Sequence, residues 1–572
     1  MATSPSQTLP NLEPLIQTIR ETAGAPGIAI GVIHNGRIIH EAYYGRRDVE
    51  KNLPVDRETL FYIASLTKAM TATALGMLVS RGKLEWTTPV HKIQPEMSKE
   101  TDLYTARLHI QDILSHSTGK AWADALYVES NNRILLGKEQ AIPTFDYLAQ
   151  VAPVRSKFMY NNHAYNIAGL VIERVSGQRW DEFMAENLFS PLGMNRTFTW
   201  CPLDDENMAA PYNITTDRKP QRLPFCNASN ETMMFAGQSV RTSMADLLKY
   251  SKAYLEVLAT ITPESQSNNG RPAAGSAFKR AQSQVTPLFR CIYRGPSCME
   301  DLGSKKFEEN PVEHVIREIN TLIRPHVPRP VETVLQQTYA LGWNRTQLPG
   351  SLDFGLNGNM LKELPLLGES YPGRLALWHG GNMPGTTAAI CLLPETQTAV
   401  IVLQNSLGLC DAADWILQAL VDTIFTGSPQ RDYVALASAC VDSGIRKMDD
   451  VEKTLREERI VGTHPRDLVS YTGRYSNVIG NWYVDIGIAG EALYLEFLGL
   501  EDERYFLRHY HYDMFVWNLP YDELVRRGQY IRHAYFYRLD FEMAEGSDAI
   551  VRLRWRHDPN VPEGEVFKQK EI

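Results

Sequence analysis

Residues 60–79 read LFYIASLTKAMTATALGMLV and combine a reactive pair with a helix signal. Apolar residues recur at helical spacing after Leu66, and Gly82 stands where a helix C-cap would fall. Ser65 therefore lies where a loop enters a helix, at which backbone N–H groups are unpaired and the dipole end is positive. Lys68 follows one helical turn later on the same face. The stretch predicts Ser65 as a nucleophile and Lys68 as its activating partner.

A lysine can take the proton of a serine hydroxyl only when its own amino group is neutral. Its reference pKa is about 10.4, so activity near neutral pH requires a depression of about 3 units, or roughly 4 kcal/mol. Burial in a closed cleft can provide this. The alternative is an N-cap serine beside a solvated lysine. Ser-x-x-Lys also occurs at Ser80, Ser117 and Ser276, but only Ser65 precedes a long apolar helix.

A second candidate element is Tyr160-Asn161-Asn162, which precedes the helical stretch AYNIAGLVIERVSG. A phenol can relay a proton between a nucleophile and a leaving group when cationic neighbours lower its pKa. The Asn162 amide can hold a substrate carbonyl or orient the lysine. Tyr-x-Asn also occurs at Tyr475, but that copy falls in a strand-rich region, where an aromatic packed on a sheet is the better interpretation.

A third candidate element is His379-Gly380-Gly381-Asn382, which follows the strand-like run LALW. Glycines here would let a ligand backbone approach closely. The Asn382 N–H is a candidate oxyanion donor beside the Ser65 N–H. The alternative for His379 is a histidine that is simply packed in a strand.

Length and charge limit the classes of function. The 572 residues exceed one ordinary core, so we expect two domains, one of them large. Acidic residues outnumber basic ones by 67 to 58, a net charge of −9 that argues against a nucleic-acid partner. No apolar run is long enough to span a membrane, and the N-terminal stretch lacks a secretory signal pattern. Seven scattered cysteines without a CxxC pair indicate reduced thiols and a cytoplasmic location, and we expect no metal and no cofactor.

The pattern of residues 1–430 predicts one mixed catalytic domain. Two β-rich runs flank Asn35-Gly36, a type I′ hairpin signal. Helices are predicted at 11–22, 109–115, 163–176, 179–189, 243–259 and 411–425. Residues 260–335 are predicted to be an insertion over the active site with a short helix at 311–325, and 351–372 are expected to line the pocket.

The character of the chain changes after residue 430. Residues 431–466 are predicted to be a linker that contains a charged helix at 447–458. From 467 to 572, short aromatic-rich strand-like runs alternate with turn residues. This pattern is typical of a small antiparallel barrel or sandwich.

In this order, the three elements resemble the serine β-lactamase/penicillin-binding-protein superfamily, in its class C β-lactamase-like branch. That branch includes family VIII esterases, D-aminopeptidases and fungal transesterases. DILSHSTG, FSPLGM, SVRTSMADLLKY and YALGW also resemble the family pattern, which covers residues 11–425 apart from the insertion. The resemblance implies an α+β fold in which an antiparallel sheet is flanked by helices and joined to an all-helical subdomain. The C-terminal antiparallel β-barrel looks lipocalin-like.

The resemblance also implies roles for the candidate residues. Ser65 would attack an acyl carbonyl and form an acyl-enzyme, while Lys68 and Tyr160 share proton transfer. The N–H groups of Ser65 and Asn382 would form the oxyanion hole, typically worth about 2.7–4 kcal/mol per donor. Asn162 would contact the substrate or the lysine, and the substrate would also contact His379, Gly380 and Gly381.

One departure from the family pattern bears on the substrate. Class C β-lactamases typically carry Lys-Thr-Gly where this chain has His379-Gly380-Gly381. A lysine is a cation suited to the β-lactam carboxylate, whereas a histidine with a reference pKa near 6.5 is mostly neutral at pH 7. The difference favours an esterase, amidase or acyltransferase over a dedicated β-lactamase.

Three functions remain open at this point. The leading one is a serine hydrolase that acts on an ester, thioester or amide small molecule through acyl-Ser65. The second is an acyltransferase or transesterase of secondary metabolism that uses the same residues. The third is a non-catalytic binding or scaffold protein of the same fold. The sequence leaves undecided the substrate, the general base (Lys68 or Tyr160), the oligomeric state, and the roles of the insertion and the C-terminal domain.

Overall fold

A nine-stranded antiparallel sheet forms the centre of the N-terminal part. The computed structural model describes residues 4–97, 107–126, 130–262, 315–330 and 336–569. The strands are β1 Gly27–His34, β2 Arg37–Asp48, β3 Leu53–Pro54, β4 Val327–Pro328, β5 Gln337–Tyr339, β6 Asn344–Gln347, β7 Leu375–Met383, β8 Thr386–Leu393 and β9 Thr398–Gln404. Their order is β3-β2-β1-β9-β8-β7-β6-β5-β4. The hairpin predicted at Asn35-Gly36 joins β1 to β2, and both turn residues have positive φ, at 50° and 71°.

Both faces of this sheet are covered, because its strands are apolar on both sides. Ile28 and Ile30 of β1 belong to one buried cluster, and Ala29 and Ile33 belong to the other. The helices of the described residues are α1 Pro5–Thr8, α2 Glu13–Ala23, α3 Thr67–Ser80, α4 Val90–Ile93, α5 Ile110–Leu114, α6 Ala141–Tyr147, α7 His163–Ser176, α8 Trp180–Met184, α9 Phe235–Gln238, α10 Met244–Ile261, α11 Ile319–Ile323, α12 Ala412–Thr426, α13 Tyr433–Glu457 and α14 Tyr521–Arg526. Helices α2, α12 and α13 cover the first face, and α3 and α10 cover the second.

The described residues of the N-terminal part also form three smaller sheets. The first joins Phe61–Tyr62, Thr197–Phe198 and Arg241–Thr242; the second joins Tyr212–Ile214, Pro220–Arg222 and Ser406–Leu407; the third joins Gly350–Ser351 and Leu366–Leu367. The first of them fixes the backbone that leads to Ser65, since Ile63 N then donates to Val240 O at 3.1 Å.

The C-terminal part is a nearly closed antiparallel barrel, as predicted. Its strands are β10 Gly473–Ser476, β11 Tyr483–Ala489, β12 Ala492–Phe497, β13 Arg504–Phe506, β14 Arg508–His511, β15 Met514–Val516, β16 Arg538–Met543, β17 Ile550–Trp555 and β18 Glu565–Gln569. Their order is β13-β12-β11-β10-β18-β17-β16-β15-β14, so the two edge strands are consecutive in the chain. Trp482, Trp517 and Trp555 are buried inside it. The predicted α+β fold class with a C-terminal barrel is confirmed.

The helix predicted at 447–458 begins earlier, at Tyr433, and runs for 25 residues as α13. Its first half is apolar on one side: Tyr433, Ala437, Cys440 and Val441 pack with α2 and α12. The sequence analysis did not predict the first half as a helix because its small, apolar and polar residues are mixed. The second half was predicted because it is rich in charged residues. The segment between the sheet and the barrel is therefore largely a helix packed on the N-terminal part.

The predicted insertion lies largely outside the described residues. Within it, α11 (Ile319–Ile323) agrees with part of the helix predicted at 311–325, and β4 adds an edge strand to the central sheet. Among the described residues, no helix is both long and apolar enough to cross a lipid bilayer.

Candidate active site

The local fold brings Ser65 and Lys68 together at the start of α3. Ser65 lies in a 3₁₀ turn, Ala64–Leu66, which leads directly into the helix. Lys68 Nζ lies 2.9 Å from Ser65 Oγ and donates to Gly237 O at 3.2 Å. Both residues are buried, and Lys68 has no exposed surface at all. The alternative of a solvated lysine beside an N-cap serine does not describe this geometry.

Tyr160 approaches the same serine from the segment before α7. Its hydroxyl donates to Ser65 Oγ at 3.0 Å, so two functional groups converge on one oxygen. His116 fixes this segment, because its Nδ1 accepts from Asn161 N at 3.0 Å and its ring lies 4.1 Å from the Tyr160 ring centroid. The side chain of Asn161 bridges Ala121 O and the backbone N–H of Ala164, which anchors the start of α7.

Burial moves the pKa values of the two candidate bases in opposite directions. It lowers the pKa of Lys68 from an ordinary value of 10.5 to about 7, and the charge of Asp124 opposes part of this shift. For Tyr160, burial raises the pKa well above its ordinary value of 10.0, although the hydrogen bond to Ser65 acts against the rise. A neutral amine is accessible near pH 7, whereas a phenolate is not.

His379 lies on β7 with both ring nitrogens occupied. Its Nε2 is 2.9 Å from Tyr339 Oη and its Nδ1 is 2.7 Å from Gly380 O. Burial first, and then the charge of Lys68, lowers the pKa of His379 to about 3. A neutral ring that donates from Nδ1 and accepts at Nε2 satisfies both contacts. The third element therefore contributes no positive charge at neutral pH.

The two glycines of the third element allow other parts of the same chain to approach. A Cβ on Gly380 would lie 2.0 Å from Phe354 O, and one on Gly381 would lie 2.2 Å from Ile63 O. The sequence interpretation had assigned this space to a ligand backbone. The Cβ position of Gly381 is also 3.4 Å from Ser65 N, so β7 runs beside the nucleophile turn.

The predicted oxyanion donors lie where this turn meets β7. Ala64, immediately before Ser65, has a φ of 45°, which is rare for a non-glycine residue and costs roughly 1–3 kcal/mol. Asn382, the residue after Gly381, donates from its side chain to Phe354 O at 2.8 Å. Its own backbone oxygen accepts from Tyr530 Oη, at 3.3 Å.

The side chain of Asn162 is directed to a carboxylate rather than to the lysine. Its Nδ2 donates to Asp124 Oδ2 at 2.7 Å, while its Oδ1 is buried without a hydrogen-bond partner among the described residues. Asp124 is thus held beside the site, where its charge acts on Lys68. Sequence reasoning missed Asp124, because it follows Trp122 in a loop that carries no motif.

Ser65 opens into a cavity of about 360 Å³, here called the Ser65 cleft. Its lining comprises Ser65, Trp122, Asp124, Phe158, Tyr160, Asn162, Gln238, Arg329, Asn344, Asp353, Phe354, Gly355, His379, Gly380, Asn382, Met383, Tyr530 and Arg532. Asp353 to Gly355 fall in the range 351–372 that was expected to line the pocket. Arg329, at the end of the predicted insertion, and Tyr530 and Arg532, from the C-terminal part, have no sequence motif that could have revealed them.

A second cavity of about 720 Å³, here called the barrel groove, shares one wall with the Ser65 cleft. The five residues common to both are Trp122, Phe158, Tyr160, Arg329 and Arg532. The far wall of the groove includes Tyr535 and Phe536 of the C-terminal part.

The other Ser-x-x-Lys and Tyr-x-Asn copies that the structure describes are absent from the lining of this cleft. Ser80 ends α3 and donates to Met77 O at 2.9 Å. The amino group of Lys120, the partner of Ser117, donates to backbone carbonyls of residues 146 and 148. Ser276 lies outside the described residues, and the Tyr475 hydroxyl donates to Tyr471 O within the barrel. Among the described residues, no group of three or more His, Cys, Asp and Glu side chains is arranged to hold a metal ion.

Comparisons with known proteins find similar families and relatives. Residues 12–287 match the family model "Beta-lactamase", and residues 458–569 match "Domain of unknown function (DUF3471)". Unguisins hydrolase ungD from Aspergillus violaceofuscus is 26% identical over 392 residues, and Unguisins hydrolase ungD' from Aspergillus campestris is 30% identical over 388. In each case the match covers 67% of this chain and 58% of the relative, so the chain spans less than two thirds of these relatives' length.

A solved structure shares the fold. The octameric penicillin-binding protein homologue from Pyrococcus abyssi aligns with a TM-score of 0.53 at 19% identity, over 98% of this chain and all of that one. At this identity the likeness concerns the fold alone. Together with the match of residues 12–287 to the family model, it shows that the chain has a β-lactamase/transpeptidase-like fold.

Proposed function

We propose that this protein is a serine hydrolase that cleaves an ester, thioester or amide small molecule through an acyl-Ser65 intermediate. The observation that carries the proposal is the convergence of Lys68 Nζ, at 2.9 Å, and Tyr160 Oη, at 3.0 Å, on Ser65 Oγ inside a cleft. A nucleophile and its base within hydrogen-bond reach are the geometric requirement for this chemistry. Two relatives named hydrolases support the reaction class.

In the acylation step we assign Lys68 as the general base. Neutral Lys68 accepts the hydroxyl proton across 2.9 Å as Ser65 Oγ bonds to the substrate carbonyl carbon. The developing oxyanion is held by the N–H groups of Ser65 and Asn382, donors of a kind worth about 2.7–4 kcal/mol each. Tyr160, a neutral phenol, then passes a proton to the leaving group and regains one from Lys68. The bond from the carbonyl carbon to the leaving group breaks as the oxyanion collapses.

Deacylation reverses these roles. A water molecule attacks the acyl carbon and loses its proton to Lys68, a carbon–oxygen bond to water forms, and the bond to Ser65 Oγ breaks. Ser65 Oγ regains a proton from Tyr160 or Lys68, and an acid product leaves. The low pKa of Lys68, about 7, lets one amine act as base and then as acid near neutral pH.

Acyl transfer is a second candidate because of the barrel groove. This cavity of about 720 Å³ adjoins the Ser65 cleft through shared residues, and its aromatic wall could receive an alcohol or amine acceptor. The reaction would differ only in the molecule that attacks acyl-Ser65.

Intact-protein mass spectrometry tests the proposal. The wild type, Ser65→Ala and the control Ser80→Ala, another Ser-x-x-Lys serine, are mixed with p-nitrophenyl esters and acyl thioesters. We expect an acyl adduct on the wild type and on Ser80→Ala, and none on Ser65→Ala. Faster decay of the adduct with added alcohols or amines would favour the transferase. The absence of both an adduct and ester turnover in the wild type would refute the proposal and favour a non-catalytic protein.

A further inference from the structure

Arg329 lines the Ser65 cleft, and among the residues that the structure describes its guanidinium has no carboxylate partner at ion-pair distance. It follows β4, and its backbone N–H donates to Gln337 O at 2.9 Å, which fixes the residue at the edge of the central sheet. Its guanidinium lies 5.3 Å from the Trp378 ring centroid and 5.7 Å from that of Phe158. Nη1 donates to Asn344 Oδ1 at 2.9 Å. These contacts orient the guanidinium without neutralising it.

The surroundings of Arg329 leave its hydrogen-bonding capacity largely unused. Within the part of the chain that the structure describes, Nε is buried without a partner, and no Asp or Glu oxygen forms an ion pair with the guanidinium within 4.0 Å. Asp353 is near enough to favour the charged form, but its Oδ1 accepts from Gly355 N. Taking a cation out of water without a counter-charge is costly, so such groups are normally paired.

The position of Arg329 relative to the reacting groups gives this charge a role. Its field lowers the pKa values of both Tyr160 and His379, which places it within electrostatic reach of the second and third elements. His379 itself is neutral and has both nitrogens occupied, whereas Arg329, which follows the edge strand β4, brings a positive charge into the lining of the same cleft. A guanidinium presents a planar fork of donors that matches a carboxylate.

We propose that Arg329 is a specificity-determining residue that binds a carboxylate of the substrate. This inference rests on the proposed function and narrows its substrate class to acyl compounds that bear a free carboxylate near the scissile bond. The carboxylate would accept from the guanidinium and supply the counter-charge that Arg329 lacks among the described residues. A substrate without it would leave Arg329 desolvated and unpaired, which is the basis of discrimination.

Three phenyl esters test the proposal. Phenyl butyrate is neutral, phenyl hydrogen glutarate carries a carboxylate on the acyl side, and 3-carboxyphenyl butyrate carries one on the leaving group. Each kcat/KM is divided by the rate constant for hydroxide-catalysed hydrolysis of the same ester, to remove intrinsic reactivity. The proteins are wild type, Arg329→Gln, Arg329→Lys and the control Arg345→Gln. Arg345 is on β6 of the same sheet and is absent from the described lining of the cleft.

We expect the wild type to prefer one carboxylate ester over the neutral one. Arg329→Gln should lower kcat/KM for that ester by about 10- to 100-fold, the range for a hydrogen bond to a charged group, and for phenyl butyrate by less than about threefold. Arg329→Lys should restore part of the preference, and Arg345→Gln should leave it unchanged. Retained turnover of the neutral ester shows that the variants are folded.

Two other outcomes are distinguishable. If the wild type hydrolyses the esters without preference, or if Arg329→Gln slows all three equally, the carboxylate assignment is wrong and the proposed hydrolase stands. If the wild type hydrolyses none of the three, the proposed function fails, and the inference that depends on it falls as well.

Discussion

Replacing Lys68 by methionine tests the central feature of the site without knowledge of the substrate. Lys68 is fully buried, and burial lowers its pKa from 10.5 to about 7. The difference corresponds to about 5 kcal/mol. At pH values below 7, the free energy of unfolding of the wild type is lower by this amount than it would be if Lys68 kept its ordinary pKa in the folded protein. Methionine has a similar shape and no charge, so the variant escapes this cost.

The sign of the effect depends on pH. The unfolded chain keeps its Lys68 proton up to about pH 10.4, whereas the folded chain releases it at about pH 7, so wild-type stability rises by about 1.4 kcal/mol per pH unit between these values. The variant loses the contacts with Ser65 Oγ and Gly237 O, at about 1–3 kcal/mol. Lys68→Met should therefore be about 2–4 kcal/mol more stable at pH 6 and less stable than wild type above about pH 10.

The assay is urea unfolding of both proteins at pH values from 6 to 10, followed by tryptophan fluorescence and far-ultraviolet circular dichroism. The control is Lys252→Met on α10, whose side chain is 53% exposed, and its difference from wild type should stay constant with pH. A difference between Lys68→Met and wild type that does not change over this range would mean that Lys68 stays charged. In that case it could not act as the base.

Three further predictions follow from the same geometry. The kcat/KM of the wild type for a neutral ester should rise with pH and level off above about pH 7, because Lys68 must be neutral to act as a base. Asp124→Asn should shift this rise to lower pH, because the Asp124 carboxylate raises the Lys68 pKa. A rise that stays in place in the variant would contradict the assignment. Tyr160→Phe should lower kcat/KM by about 10²- to 10⁴-fold, the range for general acid–base groups, while fluorophosphonate labelling of the protein persists; unchanged kcat/KM would exclude the proton relay. Tyr530→Phe removes the donor to Asn382 O and should lower kcat/KM by roughly two- to tenfold, as for one neutral hydrogen bond, and an effect on unfolding alone would speak against a link to the site.

The sequence was sufficient to predict the helix that follows Ser65 and the hairpin at Asn35-Gly36, because both depend on local signals. A serine at the entry to an apolar helix, a glycine after the helix end, and Asn35-Gly36 between two β-rich runs each act within a few residues. The structure has α3 at Thr67–Ser80 and a turn with positive φ at Asn35 and Gly36. Helix α7 likewise has the bounds predicted, 163–176.

Elements whose partners are distant in the chain were harder to predict. Strand β18 (Glu565–Gln569) is polar at most positions, yet it pairs with β10 and β17 and so joins the two halves of the barrel. The role of the glycines after His379 was also hard to predict, because the backbone atoms that pack against them belong to Phe354 and Ile63, which are distant in the sequence. Short-range patterns cannot reveal which backbone will approach.

The barrel contributes to the candidate active site in a way that the division into two domains does not suggest. Asp558 of the barrel accepts from Ala123 N at 2.7 Å, and Ala123 holds a positive φ of 44°. Its neighbours in the chain, Trp122 and Asp124, both line the Ser65 cleft, and Asp124 acts on the pKa of Lys68.

Asp558 is therefore connected to Lys68, the proposed base, through the hydrogen bond to Ala123 N, the strained Ala123 and the Asp124 carboxylate. Tyr530 reaches the third element by a second path, through Asn382 O, and Arg532 forms part of the cleft wall. Because a strained backbone persists only when its surroundings hold it, removal of the barrel should release the Ala123 loop as well as open the cleft. Residues of both parts of the chain thus influence the surroundings of Lys68, although the residues with recognisable motifs all lie in the N-terminal part.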